Sequence, residues 1–210
     1  MADKNERGLP RPLQRIKDAL NSRREVINEL NFTYRRLLRL LPNIMRRVES
    51  EPLGRVLAGQ DQEDRLISSQ LADVASTHGE TPGPCTCEDA NALVDNVYHA
   101  ERAAIDRKAR ASAVIHSLKM VRTYLIRAWG RLIGTLSFDG SDDFLKEAHA
   151  MQAREADLFR ELVVLGEQTD HGPEQPSPQH LPHKQKSTTS RSFGRPFLAP
   201  RKGRSHTRKD

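Results

Sequence analysis

An apolar heptad pattern between Glu88 and Leu136 constrains this sequence more than any other feature. The stretch contains no Pro, and its first Gly is Gly130. Apolar residues at alternating spacings of three and four lie along one side of a helix. The two seams consist of Val97, Ala104, Ala111, Leu118, Leu125 and Leu132, and of Leu93, Ala100, Arg107, Val114, Val121 and Ala128. The pattern predicts one long central helix of about 70 Å at 1.5 Å per residue.

Other seams precede and follow this stretch. From Leu13 to Leu41 the apolar residues repeat in heptads, and Pro42 is expected to end or kink that helix. Residues 51–76 predict one or two shorter helices. A last helix is expected to end near Leu165, with Gly166 as its C-terminal cap. The predicted fold class is all-α: a helical bundle with one long central helix and coiled-coil-like seams, plus a disordered basic C-terminal tail.

Composition divides the chain into three parts. Residues 1–9 are polar and predict a flexible N-terminus, whereas residues 10–166 carry the helical patterns and predict the bundle domain. Within that domain, residues 77–86 include a Pro-Gly-Pro run that is typical of a linker. Residues 167–210 show no periodicity and contain many Pro, Ser and basic residues. Such a segment buries too little apolar area to offset its ordering entropy, so it is predicted to be a disordered tail.

The last third of the predicted central helix, from Leu118 to Leu136, has two apolar faces and contains the only Trp of the chain. A helix that is apolar on more than one side contacts two or more other helices. The sequence therefore places the middle of the core in this segment.

Three charged residues interrupt the seams: Arg23, Arg107 and Glu155. A buried polar layer can fix helix register, but Arg107 lies about 31 residues before the turn near Phe138 and Glu155 about 17 after it. The two cannot meet within one antiparallel hairpin. Each arginine is predicted to extend along a seam edge into solvent, with contact to another chain of an oligomer as the alternative.

The positive charge of the chain is concentrated at its end. The net charge is +6, yet residues 183–210 alone carry +8 and residues 1–182 carry −2. Flexible basic segments bind nucleic acid without sequence preference, and Phe193 and Phe197 could stack on unpaired bases. The predicted nucleic-acid-binding residues of the tail are Lys184, Lys186, Arg191, Arg195, Arg201, Lys202, Arg204, Arg208 and Lys209. A localisation signal, an anionic membrane or mere solubilisation are the alternatives.

The first helix has a basic surface of its own. Arg35, Arg36 and Arg39 lie within about one turn of one another and are candidate phosphate ligands. The alternative is a solvated face whose arginine stems cover apolar surface. Acidic residues interrupt the face, which argues against a long double-helical ligand.

No catalytic motif, phosphate loop or cofactor motif occurs, so the chain is predicted not to be an enzyme and to hold no metal or cofactor. Cys85 and Cys87 are spaced C-x-C without a second pair, which is a weak zinc signal. Two cysteines exclude a disulfide framework, and neither a signal peptide nor a membrane span is visible. An intracellular location, cytoplasmic or nuclear, is expected.

These observations together predict a non-enzymatic assembly or regulatory protein. Its basic tail and arginine-rich helix face would contact RNA or DNA, and its seams would form a homo-oligomer or bind a helical protein partner. An acidic protein is a further possible ligand of the tail. The alternative is a protein–protein adaptor that uses an amphipathic helix seam and whose tail is a nuclear-localisation or solubilising segment.

Overall fold

Five α-helices make up the described part of the chain. The computed structural model describes residues 11–104, 106–137 and 142–171. The helices are α1 (Arg11–Met45), α2 (Glu51–Thr77), α3 (Glu88–Ala103), α4 (Arg107–Leu136) and α5 (Asp142–His171). The all-α helical bundle is confirmed. None of the described helices is both long enough and apolar enough to cross a membrane.

Four of these helices, α1, α2, α4 and α5, form a four-helix bundle. α1 packs on α2 and α4, and α5 packs on the same two helices from the opposite corner. Two hydrogen bonds show how α5 runs relative to α2. Gln60 donates to the Leu158 carbonyl, and Arg154 donates to the Gln70 side chain. Residue numbers rise along α2 while they fall along α5, so these helices are antiparallel. Each bundle helix thus has one side turned to a shared central axis.

The remaining helix, α3, lies outside this bundle over the groove between α1 and α4. Ion pairs join Asp95 to Arg36 and Glu101 to Arg47, so α3 runs parallel to α1. It belongs to the long connection between α2 and α4. Among the described elements, no helix covers the opposite groove, between α2 and α5.

The prediction of one long central helix is wrong. Ala104 leaves α3 with extended backbone (φ −79°, ψ 133°), and the Asp106 carboxylate accepts a hydrogen bond from the Ala109 amide at 2.7 Å to begin α4. Such a cap satisfies an amide that has no partner within its helix. The two helices form a hairpin, because the Cys87 Sγ at the start of α3 lies 3.1 Å from the Tyr124 hydroxyl of α4. The heptad pattern crosses the break because both helices bury one face.

α1 does not end at Pro42 but continues to Met45, and a proline inside a helix is expected to kink it. α5 continues to His171, so the predicted end at Leu165 is wrong. Gly166 is buried within α5, where a Cβ atom would lie at an ordinary contact distance of 3.5 Å from the Ile115 Cγ2. Gly166 therefore lies in the packed surface between α5 and α4 and does not cap a helix.

The core lies where the two-faced segment predicted it. Leu118, Leu125, Trp129 and Leu132 are fully buried and belong to one apolar cluster shared by all five helices. The seam residues of α4 are thus covered by other helices of the same chain. A protein partner would have to use a different face.

Candidate functional site

Six side chains meet at the centre of the bundle, and every bundle helix supplies at least one. They are referred to below as the central polar cluster: Tyr34 of α1, Gln60 and Asp64 of α2, Arg122 and Trp129 of α4, and Glu155 of α5. All six have a relative exposure of 0%. Burying polar groups costs free energy unless they are hydrogen-bonded, so their mutual contacts determine whether the cluster can exist.

Arg122 is the hub of the cluster. Its Nη1 and Nη2 donate to the two carboxylate oxygens of Asp64 at 2.6 and 2.9 Å, a bidentate pair. Its Nη1 also donates to both oxygens of Glu155 at 3.3 Å, and its Nη2 donates to Gln60 Oε1 at 3.1 Å. Only the buried Nε of this side chain lacks a partner among the described residues. One guanidinium thus joins α4 to α2 and α5.

Tyr34 extends the same network to α1. Its hydroxyl donates to Glu155 Oε1 at 2.7 Å and accepts a hydrogen bond from Trp129 Nε1 at 2.9 Å. On the other side, Gln60 Nε2 donates to the Leu158 carbonyl at 3.1 Å. The network therefore crosses the whole bundle without leaving its carboxylates unpaired.

Glu155 has a strongly shifted pKa. Burial raises the pKa of its carboxyl to about 7, against the opposing charge of Arg122 and with a further contribution from the charge of Asp64. Burial likewise raises the pKa of Asp64, which Arg122 opposes. With both acids ionised the cluster carries one excess negative charge, and protonation of Glu155 makes it neutral.

The other two titratable members keep their usual protonation states. Burial by itself lowers the pKa of Arg122, but the Asp64 and Glu155 carboxylates raise it above the ordinary arginine value. Burial and then the charge of Glu155 hold the pKa of Tyr34 well above its usual range. Arg122 is therefore a permanent cation, and the Tyr34 hydroxyl a permanent hydrogen-bond donor.

The donor set of the cluster does not fit a metal ion. Carboxylate-bridged di-metal bundles place a Glu on each of two helices and a Glu-x-x-His pair on each of the other two. Here the centre contains two carboxylates and no His, and the guanidinium of Arg122 lies between those carboxylates. Among the described residues, no group of three His, Cys, Asp or Glu side chains is arranged to hold a metal. The positive charge at this centre is supplied by the chain itself.

The predicted surface arginines have different environments. Arg35 and Arg39 are exposed on α1, and neither forms an ion pair with a described residue. Arg36 instead donates to Asp95 of α3, so much of its charge is neutralised. The nine tail bases, from Lys184 to Lys209, lie outside the described residues, and their role stays a prediction.

Sequence reasoning missed Arg122, Asp64 and Gln60. Arg122 lies within the segment of α4 that has two apolar faces, and Asp64 lies well inside α2, which begins at Glu51. One signal was available. Arg122 lies sixteen residues before Phe138, and Glu155 lies seventeen after it. In an antiparallel hairpin these two residues lie at the same level, whereas Arg107 and Glu155 do not.

The two arginines that interrupt the seams each form an ion pair with a glutamate from a distant part of the sequence. Arg23 binds Glu80, with its Nη2 2.8 Å from the Glu80 carboxylate, and Arg107 pairs with Glu49. Arg107 is exposed at the start of α4, as a seam-edge position predicts. Arg23 is largely buried beneath the connection between α2 and α3.

No family model matches this sequence, and no curated protein matches it. Several solved structures share its fold, among them the following two. The Escherichia coli stress protein YciF aligns with a TM-score of 0.70 at 15% identity, over 73% of this chain and 98% of that chain. YcfI from Rhodopseudomonas palustris, a candidate structural protein, aligns with a TM-score of 0.64 at 18% identity, over 74% of this chain and 98% of that one. At these identities the likeness shows the fold alone.

Proposed function

We propose that this chain is a non-enzymatic helical assembly or regulatory protein that contacts nucleic acid through its basic tail and one face of α1. The observation that carries the proposal is the segregation of charge, with +8 in residues 183–210 against −2 in the rest of the chain. Contacts with phosphates dominate the affinity of such segments, so the tail needs no fixed structure to bind.

The exposed face of α1 supports this proposal. Arg24, Arg35 and Arg39 are exposed on α1, at spacings of eleven and four residues. Each spacing is close to a whole number of helical turns, so the three bases follow one stripe of about 22 Å. One acid of the same helix is engaged elsewhere, because Glu29 is largely buried and pairs with Arg131. We refer to Arg24, Arg35 and Arg39 as the α1 basic stripe.

The bundle centre supports the non-enzymatic part. Its two carboxylates, of Asp64 and Glu155, are hydrogen-bonded by Arg122 and Tyr34, and all four side chains are fully buried. A group that is enclosed and already paired offers no reacting atom to a substrate. The cluster is best explained as a device that fixes the register of four helices.

Salt-dependent binding of labelled single-stranded RNA and DNA tests the nucleic-acid contact. In the tail variant, Arg201, Lys202, Arg204, Arg208 and Lys209 are replaced by Gln. Each phosphate contact contributes about −0.7 to the slope of log affinity against log salt, so this variant is expected to flatten the slope by up to about 3.5. The double variant Arg35→Gln/Arg39→Gln is expected to flatten it by up to about 1.4.

Two controls separate a charge effect from a folding effect. Arg65→Gln removes an exposed charge from α2, away from the α1 basic stripe, and is expected to leave the slope unchanged. A chain with residues 183–210 in shuffled order keeps the tail charge and is expected to bind as the natural sequence does. Binding that is insensitive to the tail substitutions would refute the proposal.

A further inference from the structure

The groove between α2 and α5 is the open counterpart of the one that α3 covers. It has a volume of about 810 Å³ and is lined by Pro52, Val56 and Gly59 on α2 and by Val164 and Leu165 on α5, among others. Val164 is 52% exposed, so one of the few large apolar side chains exposed in the described structure lies in this groove.

No contact within the described residues explains why position 59 is a glycine. It lies inside α2, where a glycine costs about 1 kcal/mol relative to alanine, yet a Cβ atom there would meet nothing within 4 Å. Gly166 of α5, in contrast, is packed against Ile115. A small residue at an exposed helical position, next to apolar neighbours, suits close approach of another helix.

We propose that the α2–α5 groove is the interface through which two copies of this chain form a two-fold dimer. The inference deepens the assembly part of the proposed function and rests on it. A two-fold axis along the groove places α2 of one copy over α5 of the other, so that Gly59 faces a helix of the second copy. The interface is isologous, which means that the same patch must be complementary to itself.

The charges at the rim meet that requirement. The α2 side presents Arg55, and the α5 side presents Asp157, Arg160 and Glu161, all exposed. Because both signs occur along one stretch of the groove, Arg55 of each copy can pair with Glu161 of the other. A partner of one charge sign would be repelled by part of the rim, whereas a second copy matches both.

The available area is sufficient. α2 contains 27 residues and is about 40 Å long, and two adjacent helices are together about 20 Å wide. The face thus offers about 800 Å² per copy, which is the amount that specific, stable interfaces of standard size bury on each partner.

Sedimentation equilibrium of the full chain, free of nucleic acid, tests the proposal over roughly 1–100 µM, the range in which weak dimers dissociate. The natural sequence is expected to dimerise. Gly59→Trp fills the groove from open space without touching the monomer core, and is expected to weaken association at least about tenfold. Gly134→Trp is the matched control, because Gly134 is also helical, exposed and free of contacts at its Cβ, but lies on α4.

A charge swap tests the pairing itself. Arg55→Glu and Glu161→Arg are each expected to weaken the dimer, and the double variant is expected to restore it because both pairs reform with reversed sign. A chain that stays monomeric throughout, a dimer insensitive to Gly59→Trp, or equal weakening by both Trp variants would overturn the proposal. Nucleic-acid binding that is unchanged in the tail variant, with dimerisation intact, would refute only the nucleic-acid part of the proposed function.

Discussion

Arginine–carboxylate pairs occur both at the centre of this bundle and on its surface, and the two sets behave differently. Arg122 binds Asp64 and Glu155 with all three side chains excluded from solvent. Arg65 binds Asp61 on the outside of α2, where 59% of the arginine side chain is exposed. The hydrogen-bond lengths overlap, so distance does not separate them. Exposure does, because water and salt screen the outer pair and not the inner one.

The comparison teaches that the inner cluster specifies the fold more than it stabilises it. Desolvating three charges costs nearly as much as their attraction returns, so an apolar core could be equally stable. Removing one member, however, leaves buried charge uncompensated. Once formed, the network therefore penalises any helix register that separates Arg122 from its two carboxylates.

The largest effect is expected from breaking the cluster. Arg122→Met removes the cation and leaves Asp64 and Glu155 buried without it, which is expected to lower the free energy of unfolding by about 3–5 kcal/mol. Urea unfolding followed by circular dichroism measures this loss.

A variant that removes all three charges distinguishes the effect of an uncompensated charge from the effect of lost side-chain volume. The triple variant Arg122→Met/Asp64→Leu/Glu155→Leu removes every charge of the cluster and is expected to recover most of the stability. If the triple variant were as unstable as Arg122→Met alone, uncompensated charge would not be the cause.

A change of pH is expected to have the next largest effect on the free energy of unfolding. The pKa of Glu155 is about 7 in the folded protein, against 4.5 when unperturbed, so between these values the folded state binds more protons than the unfolded state. Stability should therefore fall as pH rises from 4.5 to 7, by on the order of 3 kcal/mol. The raised pKa of Asp64 acts in the same direction.

Glu155→Gln keeps the acceptor for the Tyr34 hydroxyl and removes the titration, so it should flatten the decline. The matched control is Glu147→Gln, an exposed glutamate of the same helix that lies outside the α2–α5 groove. Urea midpoints between pH 4.5 and 7.5 give both curves. A natural chain that gains stability over this interval would contradict the assigned direction.

The sequence predicted the helices better than their ends. Apolar periodicity is a property of faces, so it identified the helical segments and the buried segment around Trp129, but it joined α3 and α4 into one helix. It could not identify the break at Ala104 and Asp106, because a heptad pattern continues when a chain folds back and buries the same face twice. No acidic residue occurs between Arg107 and Arg131, but this distribution also suits the dipole of an uninterrupted helix.

The central polar cluster shows why site prediction was harder. A buried arginine and an exposed one look alike in sequence, and Arg122 is flanked by other bases on α4. Only the hairpin register with α5 distinguishes it, since Glu155 lies level with it across the turn. The contact of Asp64 with Arg122 could not be predicted from the sequence, because the two residues are 58 positions apart and no single turn links their helices.

The ion pair of Arg23 and Glu80 is intermediate between the buried and the exposed pairs. The Arg23 and Glu80 side chains are 9% and 14% exposed, and their pair attaches the α2–α3 connection to α1. Arg23→Met is expected to cost about 1–2 kcal/mol, between the values for buried and exposed pairs. In the Arg23→Met variant, the amides of residues 78–87 are expected to exchange hydrogen faster than those of the bundle helices. A double-mutant cycle with Glu80→Leu isolates the pair.

The smallest effect is expected at the surface. Arg65 Nε lies 2.9 Å from Asp61 Oδ2, one turn earlier in α2, which is the favourable order for an acid and a base on a helix. Arg65→Gln is expected to cost only about 0.3–0.5 kcal/mol, and the difference should vanish in 1 M salt, where the screening length is about 3 Å. Under the same salt Arg122→Met should keep its full cost, because ions cannot reach the bundle centre. If salt reduced both losses equally, burial would not be what separates the two kinds of pair.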